Sequence, residues 1–174
     1  MMRFVTVCRK TVKTASSVLD ASASAVVIVS AIAFALLIFV AVLSRYVFHF
    51  SLIFSVEISK LLFVWSAFLA ATAGFKRKSH IRFEFLNRLL GARGLVVTDI
   101  LLYASSLVFF QVLLGYSIRF TRIIWRTYLP VLGLSQGWLY VSVIVSSIIF
   151  MVHALDLLID SLVSVPAVFK RVSS

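Results

Sequence analysis

Four long apolar stretches, separated by short segments that carry most of the charges, make up most of the chain. The clearest stretch covers residues 21–44, which include no charged residue, no glycine and no proline. As a helix these residues extend about 36 Å, enough to cross a hydrocarbon core of about 30 Å. The apolar core of a cleaved signal peptide is shorter, about 7–15 residues. We therefore predict an uncleaved helix that spans the membrane.

Two further stretches have nearly the same length. The second span is predicted at residues 54–75 and includes Glu57 and Lys60, which lie on one helix face at i and i+3. A lysine near the membrane boundary can extend its charge towards water, which lowers the cost of its position. The third span is predicted at residues 95–118, with Asp99 about one turn inside it.

The fourth span is predicted at residues 134–155, after a loop that Pro130 and Gly133 mark. Residues 80–93 mix apolar and basic positions without the length of a span, which predicts a short amphipathic segment along the lipid surface. The predicted fold is therefore an all-α integral membrane protein with four transmembrane helices and a short interfacial segment. It forms a single membrane domain over residues 1–174.

The composition excludes several classes of protein. Hydrophobic residues make up 62% of the chain and charged residues 13%, against about 45–50% and about 25% in soluble domains. A soluble enzyme of this size cannot bury so much apolar surface. The single cysteine, Cys8, excludes a disulfide framework and a cysteine-rich metal site. The net charge of +11 does not predict a nucleic-acid partner, because the basic residues cluster between apolar runs.

The basic residues predict the orientation of the spans. Twelve of the 17 Lys and Arg residues lie in the N-terminal tail, in the loop at residues 76–93 and in the C-terminal tail. The other five are Arg45, Lys60, Arg119, Arg122 and Arg126. Because cytoplasmic loops of membrane proteins carry an excess of basic residues, we predict that both termini and the loop at residues 76–93 are cytoplasmic.

Glu57 is the acidic residue with the most interpretations. It is expected to form an ion pair with Lys60 or Arg45, to contact another membrane protein, or to act as a proton-coupling carboxylate. Asp99 is expected at the level of the lipid headgroups or bonded to a loop. Because Glu57 and Asp99 are predicted at opposite membrane faces, no pair of catalytic carboxylates is expected, and the chain is not predicted to be an enzyme.

The remaining candidates for chemistry are histidines and arginines. The histidines are His49, His80 and His153, and they are expected in separate loops and at a span end. A haem needs axial ligands that face each other within a bundle, so no cofactor and no metal site are predicted. Arg119, Arg122 and Arg126 have i, i+3, i+7 spacing and form one face if the segment is helical. They are expected to contact lipid phosphates or the acidic surface of a periplasmic protein.

The spans are expected to enclose almost no polar groups. Pairs of small residues four positions apart, Ala31 with Ala35, Ala67 with Ala71, and Ser142 with Ser146, predict close helix contacts. Without central polar groups the chain lacks a path for a hydrophilic solute of its own. This favours an accessory or scaffold role, while a purely structural four-span protein or an anchor subunit of another membrane complex stays open.

Short motifs at the span boundaries carry a resemblance to a known family. They are Arg45–Phe48, Phe54–Glu57, Leu62–Trp65, His80–Ile81, Pro130 with Leu132–Gly133, and Trp138–Tyr140. In this order they resemble the small membrane subunit (DctQ type) of tripartite ATP-independent periplasmic (TRAP) transporters. The family pattern often has two acids where this chain has Val56 and Glu57, and a glycine where it has Ala70 or Ala71.

The resemblance implies a specific set of partners. Such subunits associate with a large multi-span subunit (DctM type) that carries the substrate and sodium sites and moves as an elevator. A periplasmic substrate-binding protein delivers an organic acid, such as a dicarboxylate, a keto acid or sialic acid. The resemblance thus implies a small, non-transporting scaffold in a bacterial or archaeal inner membrane, with membrane lipids as the other neighbours. Its expected interface residues are Arg45, Glu57, Lys60, Trp65, Arg119, Arg122 and Arg126.

Overall fold

Three α-helices account for most of the chain. The computed structural model describes the backbone of residues 2–172 and the side chains of residues 12–76, 94 and 98–163. Helix α1 covers Met2–Tyr46, α2 covers Ile53–Ile124 and α3 covers Gly137–Val172. Within residues 2–172 there is no β-strand, and an isolated bridge joins residues 128 and 135.

Helix α2 contains two of the spans and reverses direction between them. The ring centroid of Phe75 lies 6.5 Å from those of Tyr103 and Phe110. A straight helix would separate these positions by about 42 Å or more. The helix therefore bends back between residues 76 and 98. The predicted interfacial segment, residues 80–93, falls in this stretch and lies outside the described side chains.

Four helical segments are long and apolar enough to cross a membrane, which confirms the predicted fold class. They are Val12–Tyr46, Ile53–Lys76, Thr98–Ile124 and Gly137–Val163. Helix α1 already includes the residues before the expected position 21, and the fourth segment begins at Gly137 instead of 134. The helices extend past the apolar runs because backbone hydrogen bonding continues through charged residues such as Lys13 and Asp20.

The side chains buried between the helices are mostly small and polar. The largest fully buried ones are His153, Thr72, Ser16, Ser142, Ser146 and Ser147. The expectation of an interior with almost no polar groups is therefore wrong. In lipid, large apolar side chains can face outwards without cost, whereas small hydroxyl residues let helix backbones approach closely and bond to their own helix.

The small-residue pairs predicted to form helix contacts differ in outcome. Ser142 and Ser146 are 0% and 1% exposed, so this pair lies at a helix contact as predicted. Both alanine pairs of the first and second spans are exposed instead. The contact between α1 and α2 uses a different pair, since the Ser66 hydroxyl donates to the Ser30 hydroxyl at 2.8 Å.

Candidate functional site

Residues 125–136 form a tight loop between α2 and α3. The Leu129 N–H donates to the Leu134 carbonyl at 2.8 Å, which closes the loop. Gly133 has a φ of 65°, a left-handed conformation that glycine adopts without steric cost. We call the end of the molecule that holds this loop and the 47–52 connection the loop end. The opposite end, where α1 begins and α3 finishes, is the terminal end.

Glu57 of α2 holds this loop through its carboxylate. The Val131 N–H donates to Oε1 at 3.0 Å, and the Leu132 N–H donates to Oε2 at 2.8 Å. The side chain is only 8% exposed. Backbone N–H groups in an irregular loop have no helical partner, and unpaired ones are costly when water is excluded. One buried charge therefore satisfies two donors and fixes the position of the loop.

Tryptophan side chains support the same loop from both sides. The Trp65 indole N–H donates to the Trp138 carbonyl at 3.1 Å, which ties α2 to the start of α3. The rings of Trp125 and Trp138 lie 6.2 Å apart, and the Ser135 hydroxyl donates to the Trp125 carbonyl at 2.7 Å. We call Glu57, Trp65, Trp125, Ser135 and Trp138 the loop clamp.

Gly137 is the first residue of α3 and leaves space for the loop clamp. Its N–H donates to the Ser135 hydroxyl oxygen at 3.0 Å. A Cβ atom at this position would lie 2.4 Å from Cε3 and 2.9 Å from Cζ3 of the Trp125 ring. Real Cβ contacts are not this short, so any side chain here forces the Trp125 ring to move.

Arg45 and Glu57 line one groove at the loop end, but they do not form an ion pair. The groove has a volume of about 730 Å³, and its walls come from the end of α1 and the start of α2. Among the described residues, no ion pair joins Glu57 to Arg45 or Lys60; the carboxylate instead accepts from the two backbone N–H groups. The predicted pairing is therefore wrong. Both basic side chains are exposed.

The three clustered arginines are all exposed, but only two of them belong to a helix. Arg119 and Arg122 lie in the last turns of α2, which ends at Ile124, and Arg126 follows in the loop. The predicted single helical face therefore includes only the first two. Arg119 borders a second groove of about 440 Å³.

The other predicted positions lie apart from the loop clamp. Asp99 is 8% exposed, so its side chain is buried within the protein. His49 lies in the 47–52 connection with a φ of 50°, and the side chain of His80 is outside the described part. His153 is fully buried within α3, where its Nδ1 lies 2.9 Å from the Ser16 hydroxyl of α1.

Sequence reasoning found only part of the loop clamp. Glu57 and Trp65 are among the predicted interface residues and Trp138 belongs to a quoted motif, whereas the sequence analysis does not identify Trp125 or Ser135. The sequence signal for the role of Trp125 was weak, because that role depends on a residue without a side chain, Gly137, 12 positions later. No local pattern links a tryptophan to a distant glycine.

The loop clamp uses its polar groups to bond to its own chain, which limits its chemistry. The Glu57 carboxylate and the Trp65 N–H both have partners within the chain. Among the described residues, no three His, Cys, Asp or Glu side chains come together in a way that could hold a metal ion. The arrangement can fix a loop and present a surface.

The fold and the loop clamp define a helical membrane protein whose motif residues, far apart in sequence, meet at one membrane end. The family model for tripartite ATP-independent periplasmic transporters, DctQ component, matches residues 34–163. The chain belongs to this family and is a small subunit of a TRAP transporter. The resemblance stated from the motifs is confirmed.

Two proteins of Haemophilus influenzae are similar to the chain. One is named a TRAP transporter small permease protein and is 28% identical over 115 residues, which cover 66% of this chain and 71% of that protein. The other is the sialic acid TRAP transporter permease protein SiaT, 27% identical over 110 residues. That match covers 63% of this chain but only 18% of SiaT.

Proposed function

We propose that this chain is the non-transporting scaffold subunit of its transporter. In this proposal it stabilises the large elevator-type subunit during sodium-coupled import of an organic acid that a binding protein delivers. The observation that carries the proposal is the use of Glu57, whose carboxylate is occupied by two backbone N–H groups of the chain's own loop. Both oxygens of this carboxylate thus hold the chain's own loop, which is a structural role.

The hydroxyl groups of the interior also support a scaffold role. Ser30, Thr72, Ser142 and Ser147 each donate to a carbonyl three or four residues earlier in the same helix. Bonds of this kind satisfy the hydroxyl within its own helix. A solute path needs polar groups that face a shared space, and locally bonded hydroxyls do not supply one.

The large apolar surface supports association with a bigger membrane partner. In the most apolar part of the first span only 6% of the residues are buried, and in the most apolar part of the third span 11% are buried. Lipid can cover such surface, and so can the large subunit. The match to SiaT favours a large subunit as the cover for part of this apolar surface. More than four fifths of that permease lies beyond the region similar to this chain.

Reconstitution tests the proposal directly. The purified chain, alone and with its large subunit, is placed in liposomes with an inward sodium gradient, a binding protein and a candidate acid. Dicarboxylates, keto acids and sialic acid are compared, since the family resemblance implies this class and a relative is named for sialic acid. We expect uptake only with the complete set. Saturable sodium-dependent uptake by the chain alone would contradict the scaffold role.

Co-purification separates this proposal from its alternatives. A tagged chain is isolated from its native membrane in a mild detergent, and the proteins bound to it are identified. We expect a large multi-span permease in fixed ratio. Recovery of a different membrane complex would favour the alternative of an anchor subunit, and recovery of the chain alone would favour a structural four-span protein.

The single cysteine of the chain tests the proposed orientation in an inner membrane. We propose cytoplasmic termini, so Cys8 should react with a membrane-impermeant maleimide in inverted vesicles and not in intact spheroplasts. A matched control carries Cys8→Ser and Ser51→Cys, which moves the thiol to an exposed position of the 47–52 connection. Its labelling should be reversed. The opposite pattern in both proteins would invert the proposed topology.

The arginine cluster is proposed to contact the binding protein at the loop end. All three side chains are exposed, and charge complementarity between surfaces chiefly raises the rate and specificity of encounter. Because one such contact is worth about 0.2–1 kcal/mol, the triple change of Arg119, Arg122 and Arg126 to Gln is the useful variant. Lys13→Gln, which removes an exposed charge near the other end, is the control.

The measurement for the triple variant is uptake against the concentration of binding protein in vesicles that contain the assembled complex. We expect a higher half-saturating concentration with unchanged expression and assembly, and a smaller difference from wild type at high salt. An unchanged curve would leave lipid phosphates as the partners of these arginines.

A further inference from the structure

A histidine with an unpaired ring nitrogen is enclosed at the terminal end. His153 of α3 is 0% exposed, and so is Ser16 of α1, whose hydroxyl lies 2.9 Å from Nδ1 of the ring. The other ring nitrogen, Nε2, is buried and has no hydrogen-bond partner among the described residues. Buried polar atoms in proteins nearly always have a partner, either protein or ordered water.

A second unpaired atom lies on the helix that faces this ring. Asp20 is one turn beyond Ser16 on the same face of α1, and its Oδ1 is buried with no partner among the described residues. Further along, Ala23 of α1 packs with Ile149 of α3. Because Ser16 lies beside His153 and Ala23 beside Ile149, Asp20 falls between these two levels of α3.

The charged groups around the ring come from all three helices. The side chains whose charges act on His153 are Lys76 of α2, Asp20 of α1 and Asp156 of α3. Lys76 has an interaction of its own, and no hydrogen bond joins His153 directly to Asp20. Two buried atoms without a partner among the described residues, one on α1 and one on α3, thus lie on facing helices, and they are not hydrogen-bonded to each other.

We propose that a single buried water molecule bridges His153 Nε2 and Asp20 Oδ1, which completes a polar connection from Ser16 through His153 back to α1. Water suits either tautomer of the ring. If Nε2 carries the proton, the water accepts from it and donates to Asp20; if Nε2 is bare, the water donates to both. A metal ion fits less well, since the described residues do not supply three metal-binding side chains here.

The bridge would hold a helix that has few other attachments. The first span is the least buried of the four. Hydrogen bonds between side chains that connect α1 to other helices include Ser16 with His153 and Ser30 with Ser66. A water-mediated connection at Asp20 would fix α1 against α3 near the terminal end, whether or not the scaffold proposal is correct.

Nuclear magnetic resonance of the imidazole nitrogens tests the bridge. The full chain, with its co-purified partner where one is found, is labelled with ¹⁵N-histidine and placed in lipid nanodiscs. The chain has three histidines, and His153→Gln identifies the signals of His153. We expect polarisation transfer from a bound water to Nε2. Asp20→Leu should abolish it and shift the resonance, while Asp20→Asn, which keeps an acceptor oxygen, should retain it.

Ser17→Ala is the matched control, because Ser17 is exposed on α1 next to Ser16, and it should leave the signal unchanged. The proposal is overturned if wild-type Nε2 shows no contact with water, or if it contacts a protein group of the partner subunit instead. It is also overturned if the water contact survives Asp20→Leu unchanged. Should Asp20→Leu fail to fold, the wild type and Asp20→Asn decide between these outcomes.

Discussion

The loop end and the terminal end are both held by buried polar groups, but by different kinds of bond. At the loop end a carboxylate accepts from two backbone N–H groups, at 2.8 and 3.0 Å. At the terminal end a hydroxyl and an imidazole meet at 2.9 Å. The distances are alike, yet a hydrogen bond to a charged group contributes about 1.5–3 kcal/mol and a neutral one about 0.5–1.5 kcal/mol.

The difference follows from what each end must satisfy. The loop at residues 125–136 leaves the helical hydrogen-bond pattern, so its N–H groups need partners that the local backbone does not supply. The helices at the terminal end satisfy their own backbones, so a side-chain bond there connects helices that are already regular. The Glu57 bonds thus lie where the backbone is irregular, and the Ser16–His153 bond lies where it is regular.

The loop end should be the more sensitive of the two to loss of a single side chain. Glu57→Ala removes both acceptors of the loop N–H groups. From the value for charge-assisted bonds, we expect a loss of stability of about 3 kcal/mol or more. The readout is the thermal midpoint of the purified complex, together with the rate of proteolysis in the loop. The thermal midpoint of Glu57→Gln should lie between that of Glu57→Ala and that of the wild type.

The matched control for Glu57 is its neighbour Val56, which is 72% exposed. Val56→Ala should change the midpoint little. Equal effects of the two alanine variants would mean that the carboxylate contributes no more than an exposed side chain, and the loop clamp would lose its central member.

Gly137→Ala should have the next largest effect, because the new Cβ meets the Trp125 ring at 2.4 Å. Overpacking of this kind costs about 1–3 kcal/mol, and the displaced ring also leaves its contact with Trp138. The control is Gly115→Ala, whose Cβ meets nothing within 4 Å and gains helix propensity. The measurements are the thermal midpoint and tryptophan fluorescence. A spectrum and midpoint equal to those of the control would show that Trp125 adapts freely.

The helical fold and part of the loop end could be predicted from the sequence. Long apolar runs identify spans by length alone, and Pro130 and Gly133 mark the loop that separates the third span from the fourth. Glu57 could be identified because an acid near an apolar run is rare. The partners of its carboxylate could not be predicted, because they are backbone N–H groups of a loop 74 residues away and backbone groups leave no pattern in the sequence.

The terminal end could not be predicted for a different reason. Ser16 and His153 are 137 positions apart, and neither belongs to a motif. The sequence of an apolar helix also does not indicate which of its serines is buried. Ser17 is exposed, whereas its neighbour Ser16 is fully buried. Only the packing of α1 against α3 decides which serine faces the histidine.

A double-mutant cycle measures how weak the terminal-end bond is. Ser16→Ala, His153→Gln and the double variant are compared with wild type by thermal midpoint. Side-chain hydrogen bonds between membrane helices average about 0.6 kcal/mol, so we expect a coupling energy of that size, well below the effect of Glu57→Ala. Ser17→Ala serves as the control in the cycle. A coupling of about 2 kcal/mol would erase the difference between the two ends.

The smallest effect is expected for Arg45, although it shares a groove with Glu57. The Arg45 side chain is exposed, and the Glu57 oxygens already have backbone donors, so the two charges interact only through solvent and headgroups. Groups without a direct contact or a shared partner add within about 0.3–0.5 kcal/mol. We therefore expect Arg45→Gln to change the midpoint little and to show no coupling with Glu57→Gln beyond that margin.

Lys60 is also exposed, so Lys60→Gln should have an equally small effect. Coupling above 1 kcal/mol for Arg45 alone would mean that the complex brings this side chain onto the carboxylate, so that the loop end is held by an ion pair as well as by backbone bonds.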